Sequence, residues 1–374
     1  MGNRTATQKH LEKQIEPSQH LNTSTSFQSL KDLPNPLYES QCVLHKHELL
    51  ICGSYKQRSC YSYHILKNEY KFICEYPRGT KLWGHCVVKL VDNNSKDSNQ
   101  ITLLSFGGPA YTKKYTFVMK YVSIWSNISN KSNKLNNYNQ WVPLTNNHNT
   151  IIIGRDYDDY IGARAVIGGS NNHLLFINYY KNNISVFDLN TFQFINHDIL
   201  PTNNPIFCHC FVLKLENGQG KEMIKMNEEK NKHNYQMLLF CKKTGFSIEY
   251  DEDDNTFQFH QLPVCNDIAS FYRYAYVRIN DIILFFGGIG NYISKSVHKY
   301  SIEENKWMTF QSTLPSPLFN CIAVLNEEDN HIHIIGGKDD KRTVLSTHLK
   351  TKVREWDPSQ IVMICLFIIY FDEK

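Results

Sequence analysis

A strand that ends in proline recurs six times along this chain, and this repetition constrains the fold more than any other feature. The six positions, at intervals of 43, 66, 58, 62 and 52 residues, are Pro34, Pro77, Pro143, Pro201, Pro263 and Pro315. The longer intervals contain polar insertions at residues 91–100, 126–139 and 218–233, whose Asn, Lys and Ser content is typical of surface loops. A period near fifty residues predicts similar units that bury their apolar faces only against one another.

Direct self-similarity supports this period. Residues 27–42 and 310–321 share Phe-Gln-Ser, then Leu-Pro-x-Pro-Leu, then Cys, and residues 191–194 and 256–259 both read Thr-Phe-Gln-Phe. Aromatic residues make up 13% of the chain, which favours strands because flat, bulky side chains pack well on pleated surfaces. In the unit 271–315 we predict four strands, at 274–279, 282–286, 297–302 and 307–311.

A glycine pair after an apolar strand, followed by a tyrosine and a tryptophan, marks three of the units. The matching residues are Gly107, Gly108, Tyr121 and Trp141; Gly287, Gly288, Tyr300 and Trp307; and Gly336, Gly337 and Trp356. In the third set Leu349 replaces the tyrosine, and in the first set the insertion at 126–139 lengthens the spacing. These motifs resemble those of kelch-repeat β-propellers, the architecture shared by galactose oxidase and kelch-like proteins. The resemblance implies an all-β fold with four-stranded blades around a channel.

The unit count predicts six blades. Five complete units run from residue 40 to 315, and a sixth supplies three clear strands, so we predict that residues 27–33 close the ring as its fourth strand. The alternative is that Trp356 and the apolar tail complete the last blade, which would leave residues 27–33 to a seventh. The predicted domains are a polar leader at 1–26, the propeller at 27–356, and an apolar tail at 357–374 that is either a terminal strand or disordered.

Candidate chemical sites are sparse in the sequence. Cys208-His209-Cys210 combines two kinds of zinc ligand, but strand alternation would place the histidine opposite the cysteines. The acidic runs at 251–254 and 156–159 are typical of solvated turns, and the first lacks the glycine of a calcium loop. No nucleophile elbow, phosphate loop or dinucleotide fingerprint occurs. We therefore predict no catalytic residues, no metal and no cofactor.

Charge and cysteine content limit the class of partner and the cellular compartment that the sequence predicts. A net charge of +4 indicates neither a nucleic-acid partner nor a membrane surface, and the chain begins without an apolar secretion signal. Eleven cysteines without a CxxC pair are typical of reduced, buried thiols, which predicts a cytoplasmic protein. The chain is also expected to be a monomer. The apolar run at 361–371 is shorter than a membrane helix requires.

The function predicted from these features is a non-catalytic scaffold or adaptor that binds a protein partner through its blade-connecting loops. The alternative is an enzyme or a carbohydrate-binding protein with its site at the mouth of the central channel. The alternative predicts convergent polar side chains at that mouth, whereas only aliphatic and aromatic residues there would eliminate it.

Overall fold

The computed structural model describes residues 26–91, 99–125, 137–147, 149–214 and 234–357, and these form a six-bladed β-propeller. Each blade is a four-stranded antiparallel sheet whose first strand lies innermost. The first blade contains β2 Gln41–His45, β3 Glu48–Ser54, β4 Gln57–His64 and β5 Glu69–Glu75. The second contains β6 Cys86–Leu90, β7 Gln100–Gly107, β8 Tyr115–Val122 and β9 Val142–Pro143. A small hairpin follows, formed by β10 Thr145–Asn146 and β11 Asn149–Thr150.

The remaining blades repeat this order. The third contains β12 Arg164–Gly168, β13 Leu174–Tyr179, β14 Asn183–Asp188 and β15 Gln193–Ile199. The fourth contains β16 Cys210–Lys214, β17 Asn234–Cys241, β18 Thr244–Asp251 and β19 Thr256–Gln261. The fifth contains β20 Ala275–Ile279, β21 Ile282–Phe286, β22 Val297–Ser301 and β23 Lys306–Thr309. The sixth joins β24 Ile322–Asn326, β25 His331–Ile335 and β26 His348–Lys352 to β1 Gln28–Ser29.

The N-terminal strand closes the ring, as predicted. Gln28 of β1 lies opposite Lys350 of β26, and the Thr351 hydroxyl donates to the Ser26 carbonyl at 2.6 Å. Trp356 follows the short 3₁₀ helix Val353–Glu355 and packs in the core with its ring centroid 5.4 Å from that of Phe27. The alternative of a seventh blade is therefore wrong, because residues from both ends of the described chain complete one sheet and its core.

Local sequence explains the strand boundaries. The bounds of the four strands predicted in the unit 271–315 are confirmed to within two residues. A buried apolar run forms β21, and polar turns separate the strands. Asparagine occupies positive φ in the hairpin turns at Asn255, Asn280, Asn305 and Asn330. Asparagine tolerates this left-handed conformation better than other residues with a side chain, so these turns are encoded locally.

The glycine pairs let successive blades approach closely. An added Cβ on Gly287 would lie 2.1 Å from the Leu318 carbonyl oxygen, and Gly287 has a φ of +66°. The N–H of the next glycine, Gly288, donates to the same Leu318 carbonyl at 2.8 Å. Gly336 and Gly337 make the equivalent contacts to Leu37 of the first blade. In these two units the motif thus joins the loop of one blade to the segment that leads into the next, whereas the atoms nearest to an added Cβ on Gly107 or Gly108 belong to their own blade.

Candidate functional site

The antiparallel blades sort all connections onto two faces of the disc. Each innermost strand starts at one face, so the segments that link successive blades and the loops between second and third strands lie together there. The backbone N–H of Tyr111, in such a loop, donates to the carbonyl of Asp156, in such a segment, at 2.7 Å. We call this side the connection face. The turns between first and second strands, and between third and fourth strands, lie on the opposite face.

The predicted tyrosines and tryptophans of the repeat motif lie within and between the blades. The Tyr300 and Trp307 ring centroids are 5.0 Å apart, and the Trp307 Nε1–H donates to the Pro263 carbonyl of the preceding blade segment at 2.7 Å. Trp141 stacks on Tyr76 with centroids 4.7 Å apart, and the Tyr121 hydroxyl donates to Glu48. These side chains are largely buried, so the motif holds blades together and offers no exposed chemistry.

The candidate metal ligands do not converge. Cys208 has a φ of 47° and precedes β16, so strand alternation starts only at Cys210. His209 is fully buried, and burial lowers its pKa well below the usual range. Within the described ranges no group of three metal-ligating side chains is placed to hold an ion. The run at 251–254 forms the β18–β19 turn, in which the Asp251 carboxylate accepts the backbone N–H groups of Asp253 and Asp254.

A ring of residues with left-handed backbone surrounds one mouth of the channel. One residue shortly before each innermost strand has positive φ: Glu39, Gly84, Gly162, Cys208, Arg273 and Asn320. Five backbone hydrogen bonds of 2.8 to 3.1 Å link these residues from blade to blade. A Cβ on Gly84 would lie 2.2 Å from the Gly162 nitrogen, so this position requires glycine. Glutamate and arginine are penalised in this conformation, which the packing of neighbouring blades holds in place.

Polar and charged side chains converge at this mouth. Glu39 accepts from the Arg273 guanidinium at 2.8 Å and from the Asn320 amide at 3.1 Å, while its second carboxylate oxygen is buried without a partner. Arg164 also lines this cavity of about 200 Å³, and its hydrogen bond goes to the Ala163 carbonyl. No described carboxylate lies within ion-pair distance of Arg164. The mouth therefore holds two guanidinium groups against one carboxylate.

The exposed aromatic side chains gather on the connection face. Among the described residues, six Trp, Tyr or Phe side chains are exposed, and only Phe72 lies elsewhere, on an outer strand. The other five are Trp83, Tyr111, Tyr157, Tyr180 and Tyr292. Tyr111 is 85% exposed and Tyr292 is 63% exposed. Large aromatic side chains left in water on one face of a folded protein are typical of a binding surface.

Basic side chains accompany these rings. Every loop between a second and a third strand carries lysine, so all six blades contribute positive charge to the connection face. Lys338 Nζ lies 3.8 Å from the centroid of the Tyr38 ring, and Lys242 Nζ lies 4.5 Å from that of Tyr272. Such cation–π contacts hold the ammonium groups over the rings.

Sequence reasoning missed both the aromatic face and the charged mouth. Glu39, Arg273 and Asn320 are far apart in the chain and come together only because each precedes an innermost strand. Aligning the units on those strands would have placed these three residues at equivalent positions. No comparable signal existed for the exposed tyrosines, which occur in loops of different length.

Comparisons with known proteins support the propeller fold, but they do not assign the chain to a family. No protein-family model and no curated protein matches the chain. Among solved structures, the chain is similar to one described as "Structure of YjhT", with a TM-score of 0.56 and 13% identity. The similarity covers 85% of this chain and 95% of that one. At this identity the likeness shows a shared fold alone. No helix in the described ranges is long and apolar enough to cross a membrane.

Proposed function

We propose that this chain is a non-catalytic protein-binding module that docks a partner on its connection face. The observation that carries the proposal is the placement of five of the six exposed aromatic side chains on that face. Tyrosine and tryptophan supply large contact area with few rotatable bonds, and they dominate the binding energy of protein interfaces. Backbone hydrogen bonds tie these loops to the neighbouring segments, as between Tyr111 and Asp156, which reduces the ordering that binding requires.

The proposed compartment is the cytoplasm. All ten cysteines of the described ranges are free thiols, and most of them are buried. Cys52 lies opposite Cys60, and Cys60 lies opposite Cys74, on three neighbouring strands of the first blade. Free thiols as close neighbours are typical of proteins kept in a reducing environment.

The test compares two double variants in affinity purification from the native cells, with quantification of each recovered protein. Tyr111→Ser/Tyr292→Ser removes the two most exposed rings of the connection face, whereas Phe72→Ser/Met308→Ser removes exposed apolar side chains from outer strands. We expect a stoichiometric partner that the outer-strand variant retains and the connection-face variant loses. A partner that the connection-face variant keeps would contradict the proposal, and so would recovery of no partner at several salt concentrations.

A second candidate function is a small-ligand site at the channel mouth, belonging to an enzyme or a carbohydrate-binding protein. The unpartnered oxygen of Glu39 and the unpaired charge of Arg164 favour this candidate, because both can bind a polar ligand. Calorimetric titration with neutral and acidic monosaccharides would test it. Binding that Arg164→Gln abolishes would support this function, and absence of binding across the panel would count against it.

A further inference from the structure

We infer that the partner presents an acidic polypeptide segment to the connection face; this inference rests on the proposed function and names the chemistry of the partner. The inference starts from the loops between second and third strands. These loops carry ten cations, namely Lys56, Lys113, Lys114, Lys181, Lys242, Lys243, Lys295, Lys338, Lys341 and Arg342; Lys114 is buried and donates to the Pro109 carbonyl. The same six loops carry two anions, Asp339 and Asp340.

The described turns of the opposite face have the reverse charge, while the segments that link successive blades on the connection face are nearly balanced, with five cations and six carboxylates. In their described parts, the turns of the opposite face carry two lysines, Lys46 and Lys67. They carry nine carboxylates, namely Glu252, Asp253, Asp254, Asp281, Glu303, Glu304, Glu327, Glu328 and Asp329. The net charge of the whole chain is only +4, so this asymmetry between the faces is hidden in the composition. Charge of one sign on a face attracts a partner of the other sign and raises its association rate.

The arrangement of the cations favours a polypeptide over a nucleic acid. The cations are spread one to three per loop around the whole ring, so they do not form a single row. Carboxylates lie among them, since Asp339 and Asp340 share a loop with Lys341, and Asp156 and Asp159 lie in a connecting segment. A continuous phosphate backbone would meet these carboxylates, whereas a peptide with separate acidic and apolar residues can avoid them. The exposed tyrosines then offer contacts for the apolar residues of that peptide.

The test measures the fluorescence anisotropy of a labelled peptide, in which glutamate residues alternate with leucine residues, titrated with the protein at low and at physiological salt. The connection-face variant is Lys181→Gln/Lys295→Gln, and the matched control is Lys46→Gln/Lys67→Gln on the opposite face; all four side chains are exposed. Both variants lose two positive charges, so any effect of net charge alone on peptide binding is the same in both. We expect the dissociation constant to rise about fivefold in the connection-face variant and less than about twofold in the control, because exposed charge pairs contribute individually modest free energies.

Three results would overturn the inference. The first is an equal response of the two double variants. The second is tighter binding of a single-stranded oligonucleotide with the same number of charges as the peptide. The third is salt-dependent self-association in analytical ultracentrifugation, in which the acidic face of a second copy would occupy the basic face.

The failure of this inference can be told apart from failure of the proposed function. If Tyr111→Ser/Tyr292→Ser loses the native partner while Lys181→Gln/Lys295→Gln retains it at every salt concentration, the protein-binding function stands and the acidic partner is wrong. If the tyrosine variant retains the partner, the docking face itself is wrong.

Discussion

At the scale of single residues, backbone conformation decides which positions tolerate a side chain. Gly287 and Gly79 both have positive φ, at +66° and +83°. An added Cβ on Gly287 would overlap the Leu318 carbonyl oxygen, whereas an added Cβ on Gly79 would meet no atom within 4 Å. A comparison of alanine variants at the two positions therefore separates the free-energy cost of strained backbone from the cost of a collision with the next blade.

We expect Gly79→Ala to lower the free energy of unfolding by about 1 kcal/mol, because only the left-handed backbone is penalised. Gly287→Ala should lower it by about 2 kcal/mol more, because the Leu318 segment must also move and its hydrogen bond to Gly288 weakens. Urea unfolding followed by tryptophan fluorescence measures both values. Equal losses in the two variants would show that close approach of the blades is not the reason for the glycine pair.

At the scale of elements, the short strand β1 has an importance that its length does not suggest. It contributes two residues of regular pairing, yet it covers the outer edge of β26 and brings Phe27 into the core. Phe27 contacts Phe286 of the fifth blade and Trp356, with centroids 6.4 and 5.4 Å apart. Closure by the N-terminal strand therefore links segments more than three hundred residues apart in the chain.

We expect Phe27→Ala to lower the free energy of unfolding by about 3 to 5 kcal/mol, since it leaves a cavity beside Trp356. Phe72→Ala is the control, because Phe72 is 55% exposed on an outer strand and its loss should cost less than about 1 kcal/mol. Thermal unfolding followed by circular dichroism compares the two. A similar loss of stability in both variants would contradict the assigned role of β1.

At the scale of the whole molecule, buried histidines make stability depend on pH. Burial lowers the pKa of both His85 and His333 to about 4, and it lowers the pKa of His348 well below its usual range. His333 and His348 lie 2.9 Å apart where the sixth blade meets the first, and the Tyr70 hydroxyl contacts the other nitrogen of His348. Near neutral pH these side chains are uncharged in the folded protein. Protonation is unfavourable there because a buried imidazolium ion is not hydrated.

Because the folded-state pKa of these histidines lies below the unfolded value of about 6.5, the unfolded chain binds more protons at intermediate pH. The contribution of these histidines to the free energy of unfolding is fully present above the pKa of the unfolded state. It decreases as the pH falls towards the pKa of the folded state. For His333, whose folded pKa is about 4, the decrease is up to roughly 3 kcal/mol. We expect the melting temperature to fall between about pH 7 and pH 5. His333→Gln should reduce this slope, because it removes one of the buried imidazole groups. An unchanged slope in His333→Gln would contradict this account.

The sequence by itself determined the architecture of the repeat. Its proline-marked period, its alternating strands and the glycine pairs such as Gly287-Gly288 are local signals, because turn conformation and strand burial depend on neighbouring residues. The same signals predicted the closure by residues 27–33. Only the tertiary structure decided where binding chemistry lies. Glu39, Arg164, Arg273 and Asn320 meet because six separate strands converge on one channel. The lysines and tyrosines form one face because antiparallel pairing sends alternate loops to opposite sides of the disc, which no local pattern records.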